Sequence, residues 1–447
     1  MRKTLFIVGC IATLLLGACH GESNRPVATG EGKIRTINAI PTAPAILFLI
    51  EERSVAAAEY GTITGESVFD NFEYIFNFEA VLPDNVLQQR IASVPVKVET
   101  DFEYTFVITG DLAAPDIIVW EEEIRRWQET ETTFLARFGH TAESLGPIDV
   151  YFAAPGIAPA VGQEIGTLTF GELLPPTDLT PGEFVYTVTT AGDPGDILFT
   201  SGVLSPAPRA GLLITIFDGS ENDLSPYSAS IAADGGGISS LPDANAVSTI
   251  RFIHAAATLD ASDVYTDELL ADQILSNHAN RDATDDIELA SGSYTFTYTS
   301  VGNVGSVIFE GTGTVFAASH NQLYVIGAND NLVSFIRIPD RRAVETLVKL
   351  TFIHTAINHP FVDFYVVEAG TDIADVFPRF FSVSPIGAPL SANIEVGDLE
   401  LYLTVAGEKT VVAGPLAITT ALGDVLEYLS FDNVDPATAD LVLIPNP

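Results

Sequence analysis

The chain has 447 residues, with 59 acidic against 20 basic side chains and a formal net charge of -39. So acidic a surface repels phosphate backbones and excludes nucleic acid as a partner. A hydrophobic share of 47% with 27 Phe and 13 Tyr excludes a disordered chain, and the length suits three or four domains of about 100–150 residues.

Residues 1–18 open on Met-Arg-Lys and run through an apolar core to Leu16-Gly17-Ala18, ahead of Cys19. A basic start, a short apolar run and small residues before a cut site describe a secretory signal, too short to span a membrane as a mature helix. The end Leu-Gly-Ala-Cys resembles the bacterial lipobox, which implies lipidation of Cys19 and cleavage before it. Several acyl chains on one residue make a durable anchor, since each buried methylene adds about 0.8 kcal/mol. His20 rather than Asp after that cysteine points to the outer membrane. Cys10 and Cys19 are the only cysteines, so the folded part has neither a disulfide framework nor a cysteine metal site. Residues 19–33 read as a flexible tether.

A β-rich run then recurs with one phase. His140, His254 and His354 each end an apolar strand, and nine residues later Asp149-Val-Tyr151, Asp263-Val-Tyr265 and Asp363-Phe-Tyr365 open the next. A fainter first copy has Asn38 at the His position and Leu47 and Leu49 for the Asp and Tyr. Anchors about one hundred residues apart are too widely spaced for a solenoid and fit independent domains in a row. We delimit four units: 34–130 (divergent), 131–245, 246–345 and 346–447.

In unit one, Phe72 to Phe78 and Phe102 to Ile108 alternate apolar with polar residues, the period of a half-buried strand. Pro83 to Ala92 reads as a short helix or loop insertion, and Glu121 to Thr133 as a charged connector with room for one helical turn. Unit two enters its alternating strand Phe184–Val188 through Pro181-Gly182, and Ser220 to Ala246 reads as loop and linker. Units three and four continue with Tyr294-Thr-Phe-Thr-Tyr298 and Leu399-Glu-Leu-Tyr-Leu403. About seven strands per unit with turn signals between them give a tandem array of immunoglobulin-like antiparallel β-sandwich domains.

Certain motifs carry a resemblance. They are the opening Arg/Thr-Phe-Ile-His, the Asp-Val/Phe-Tyr nine onward, a Gly-led alternating strand, and a late Tyr-rich strand before Asp. Together they are similar to the domain of unknown function 4397 family, whose repeats are common in secreted and lipid-anchored bacterial proteins. The resemblance implies a β-sandwich and a cell-envelope location, and brings no activity and no catalytic residues.

The His and Asp invite a general-base reading, but no nucleophile recurs in phase and unit one lacks both. A strand-end His beside a turn is well placed to bond backbone groups and fix a corner. His354 and His359 are five apart and the other histidines (20, 140, 254, 278, 320) are scattered, so no metal site is expected from them. Asp218 and Asp223, with Asp285 and Asp286, are the calcium candidates. Their spacing is not that of an EF-hand loop, and solvated acidic loops explain them more simply. The expected protein is therefore a non-catalytic, lipid-anchored envelope scaffold without a cofactor. It is held to the membrane, and an envelope protein or polysaccharide is its partner. The rivals are an envelope hydrolase with carboxylates at an inter-domain cleft, and a calcium-stiffened adhesin.

Overall fold

Period-two patterning and β-branched or aromatic residues put nearly every ordered segment into strands. The structure, a computed structural model, describes residues 28–81, 88–235, 237–328, 331–385, 388–433, 435 and 437–445. The signal segment with Cys19 and most of the tether lie outside the described residues, and Glu31 to Lys33, read as the end of that tether, belong instead to the strand Glu31–Asn38.

Eight sheets make four two-sheet sandwiches. In each, the opening strand (Glu31–Asn38, Phe134–His140, Thr249–Ala256, Val348–His354) lies beside the late strand (Phe102–Asp111, Gly211–Asp218, His320–Ala328, Val425–Asp432). These central pairs are parallel. The other ladders between strands are antiparallel, so each sandwich is mixed rather than purely antiparallel. The facing sheet is built on a second strand (Ile46–Ile50, Ile148–Ala153, Ser262–Tyr265, Val362–Glu368) paired with the alternating strand that follows it.

Among the described residues the sandwiches carry eight strands, and the second nine, rather than seven. Three connecting stretches differ from their sequence reading. Gln88–Lys97 is an edge strand in what reads as an insertion, and Glu121–Glu123 belong to the strand Ala114–Glu123, with no helical turn after it. Tyr227–Ala233 and Ile238–Leu241 are strands inside the apparent linker. Gln88–Lys97, Ala114–Glu123 and Ile238–Leu241 are edge strands, where half the residues face water and the apolar signal is weak. Tyr227–Ala233 lies inside its sheet, but its small Ala and Ser residues give little apolar signal.

Each sandwich has its own core, such as Phe48, Phe76, Phe78 and Phe106 in the first and Phe352, Phe364, Leu401 and Leu403 in the fourth. The opening and late strands are buried on both faces, which explains their nearly continuous apolar runs. Their second face is covered by a neighbouring sandwich. Ile37, Val107 and Trp120 of the first meet Leu213, Phe217 and Ala232 of the second. Ile253, Tyr324 and Ile326 of the third meet Ile353, Leu429 and Phe431 of the fourth. The array is thus two face-to-face pairs.

Gly139 shows how sequence sets this packing. A Cβ there would come within 2.4 Å of the Trp120 ring, whereas the same phase holds Ile37, Ile253 and Ile353 in the other units. The indole of the first sandwich fills the space an isoleucine would take in the second, and its Nε1 donates to Gly171 O at 2.7 Å.

The connection from the third to the fourth sandwich then returns to the first pair. Arg342 donates to Ala43 O at 2.7 Å and Pro41 O at 3.1 Å, and its guanidinium lies 5.8 Å from the Tyr60 ring centre. Glu345 N donates to Thr42 O at 2.9 Å, and Asn222 Nδ2 to Asp340 at 3.0 Å.

Candidate functional site

The recurring His sits at the corner between opening and second strands, where the turning backbone leaves carbonyls that need donors. His140 Nε2 bonds Gly146 O at 3.1 Å, and His354 Nε2 bonds His359 O at 2.7 Å. His354 Nδ1 also meets Ser430 Oγ at 2.6 Å, on the neighbouring late strand. In the first sandwich Asn38 Nδ2 donates to Pro44 O at 3.2 Å, six residues on, as Gly146 is from His140. Burial pushes His140 below the usual imidazole range and His354 down to about 4, so these rings are neutral at pH 7. His254 occupies the corresponding corner and lies against His278, with ring centroids 5.6 Å apart. The sequence scatters these two; the turn after Gln273–His278 brings them together.

The Asp of each Asp-x-Tyr ties down a hairpin. Asp149, Asp263 and Asp363 accept from Gly192 N at 2.7 Å, Gly302 N at 2.8 Å and Gly407 N at 2.9 Å. All three glycines have positive φ, at 79°, 70° and 75°, in the turn that ends the alternating strand. The other carboxylate oxygen takes a donor from the strand on the opposite side: Thr167 Oγ1, Asn277 N or Ser382 N. One carboxylate therefore fixes both neighbours of the second strand. Tyr151, Tyr265 and Tyr365 are buried two residues on, and Lys409 lies 4.6 Å over the Tyr365 ring.

The calcium candidates already have protein donors or lie apart. Asp218 accepts from Ser144, Asp223 from Ser220 at 2.8 Å, and Asp286 from Arg341 and His320. Asp285 is exposed.

Charge is concentrated instead where sandwiches meet. Arg137 of the second reaches Glu103 at 3.1 Å and Glu122 at 3.4 Å in the first, and Asp234 at 2.5 Å in its own sandwich. Arg35 also pairs with Glu103. Burial works against the charge on Arg137, but Glu103, Asp234 and Glu122 hold its pKa above the ordinary range. Burial works the same way on Arg35, whose pKa falls, and on Glu122, whose pKa rises. The acid group Glu66, Glu103 and Asp234 has its oxygens within 4.8 Å of one another, and the two guanidiniums and Lys33 neutralise it.

Between third and fourth sandwiches Glu427 receives Tyr324 and Arg337, while Arg251 donates to Pro445 O at 2.6 Å. These residues are absent from the sequence-derived candidates. A signal for them exists: Arg35, Arg137 and Arg251 each stand three before the corner residue, inside an otherwise apolar strand. Glu122 also lines a cleft of about 610 Å³ between the first two sandwiches, with Trp120, Thr167 and Leu174.

Fold and geometry define the class, an all-β protein of tandem, pairwise-packed sandwiches. Residues 248–365, the third sandwich and the opening of the fourth, match the family model described as a domain of unknown function (DUF4397). No curated protein matches the chain. A solved structure described as the Bacillus anthracis TIE protein is similar at 10% identity, over 90% of this chain and 68% of that one, with a TM-score of 0.15. So low a score carries no argument about fold or function.

Proposed function

We propose that the protein is a non-catalytic scaffold of the bacterial cell envelope, anchored through lipidated Cys19 at the outer membrane, that presents a binding surface to an envelope protein or polysaccharide. One observation carries this reading. The corner side chains Asn38, His140 and His354 and the hairpin carboxylates Asp149, Asp263 and Asp363 are spent on their own sandwich, whereas large aromatics stand free on the fourth. Phe377 is 92% exposed, Phe381 78% and Phe361 52%. Phe377 and Phe381 lie just before and within the edge strand Phe380–Val383, and Phe361 directly precedes its partner strand Val362–Glu368. Exposed aromatic groups of this kind mark interaction surfaces.

The test has two arms. Fatty-acid labelling and membrane fractionation should find the wild type in the membrane and Cys19→Ala released. Crosslinking in intact cells should give an adduct that Phe377→Ser/Phe381→Ser loses. A released wild type would sink the anchor, and an adduct indifferent to the two phenylalanines would sink the surface.

The hydrolase reading keeps one specific support, the cleft-lining Glu122 with its raised pKa, which could serve as a general acid. Its neighbour Glu103 is buried between two guanidiniums and closed to substrate. Turnover of an envelope polymer lost in Glu122→Gln would restore that reading.

A further inference from the structure

The cleft between the first two sandwiches, about 610 Å³, is within the size range of ligand sites. Its walls come from different sandwiches. One is the stretch from Ile118 to Glu122 in the strand Ala114–Glu123, and the other is built from residues between Thr167 and Pro176 of the second sandwich. Trp120, Leu174, Pro175 and Pro176 give it apolar surface, and the charged residues that line it, Glu121, Glu122 and Glu172, are all acids.

The ion network of this seam is one cation short. Lys33, Arg35 and Arg137 meet four carboxylates, those of Glu66, Glu103, Asp234 and Glu122. Arg137 serves three of them, and its contact with Glu122 is the longest, at 3.4 Å. The other oxygen of Glu122, Oε1, is buried without a hydrogen-bond partner. A carboxylate held out of water with an idle oxygen is costly, and a donor or cation brought beside it relieves that cost.

The strand wall also has backbone to spare. Ala114–Glu123 ends its sheet, and among the described residues no strand pairs with its outer edge, so a row of its N–H and C=O groups is open to an added strand. Glu121 and Glu123 are exposed along it. Acids on an edge turn away strands of their own sign, and a second copy of this chain, at net charge -39, is repelled as a whole. A basic strand is drawn in. We propose that this cleft binds an extended cationic peptide of a partner protein, laid along Ala114–Glu123 with a Lys or Arg side chain pairing with Glu122. Trp120 and Glu122 stand two apart on the face that meets the second sandwich, so the added strand would meet them with an apolar and a basic residue also two apart. The site lies on the first pair of sandwiches, apart from the phenylalanines of the fourth, and does not depend on what those bind.

The test titrates the full chain carrying Trp127→Phe, which leaves Trp120 as its sole tryptophan, with a peptide of three Val-Thr-Lys-Thr repeats. The expected result is one saturable peptide per chain that shifts the Trp120 emission and protects amides of Ala114–Glu123 from hydrogen exchange. Affinity should fall about tenfold or more in Glu122→Gln, stay unchanged in Asp285→Asn on the third sandwich, and drop steeply with salt. Circular dichroism checks the fold of Glu122→Gln, while the emission and exchange readouts need no change in the cleft. A peptide with Gln for each Lys, and spermidine as a cation without a peptide backbone, should each bind about tenfold more weakly or worse. An unmoved Trp120 emission, unprotected amides or equal affinity in Glu122→Gln overturns the site. Spermidine binding as tightly as the peptide overturns the peptide as its occupant.

Discussion

The first sandwich and the other three solve one corner with different side chains. Asn38 donates to a carbonyl six residues on, as His140 does, and Asn38 Nδ2 also lies 3.2 Å from Ala58 O. The hairpin clamp has no such substitute: Leu47 stands where Asp149, Asp263 and Asp363 each collect donors from two neighbouring strands. What the first, second and fourth sandwiches share at the corner is a donor for a turning backbone, not an imidazole. The carboxylate is the more demanding device, because it satisfies two backbone or side-chain donors at once.

The largest effect should come from making the fourth sandwich resemble the first at the clamp. Asp363→Leu strands Ser382 N and Gly407 N, each bonded to an ionised group, and should cost about 4 kcal/mol in chemical denaturation. A loss under about 1 kcal/mol would mean that the turn holds itself.

Acid should separate the sandwiches next. His254 and His354 have folded pKa values near 4 against an ordinary value of 6.5. The unfolded chain therefore binds more protons between those limits. Stability from each ring is complete above about pH 6.5 and falls as pH drops towards 4, by roughly 3 kcal/mol apiece. The Asn38 corner carries no such dependence, so hydrogen exchange at mild acid should open the third and fourth sandwiches before the first.

Gly139→Ala tests the seat of the Trp120 ring, where a Cβ would lie 2.4 Å away. Overpacking should cost about 1–3 kcal/mol and quench or shift the Trp120 emission. The smallest effect belongs to the corner itself. His140→Asn should lose less than about 1 kcal/mol, and His140→Leu about 1–2 kcal/mol, because the leucine leaves Gly146 O without its donor. Equal losses in both variants would deny that asparagine and histidine do the same work.

Much of the single-sandwich fold is legible in the sequence, since alternation reports burial on one face and an unbroken apolar run reports burial on two. The pairing of sandwiches is not legible. A strand such as Phe134–His140 reads the same whether its second face meets its own domain or another. Arg137 within that run is the telling residue, because a buried guanidinium needs carboxylates that its own strand does not supply. The His254–His278 contact is hidden for a different reason. It depends on a turn through two residues of positive φ, neither of them glycine, that no local motif announces.

The segment from Asp340 to Glu345 has a mechanical consequence. It grips the first sandwich, about three hundred residues earlier in the chain, with a handful of polar contacts around Arg342. A tug between the amino end and the last sandwich would load this clasp before either greasy seam. The molecule would give there first, lengthening by a hinge-like step while its two halves stay whole.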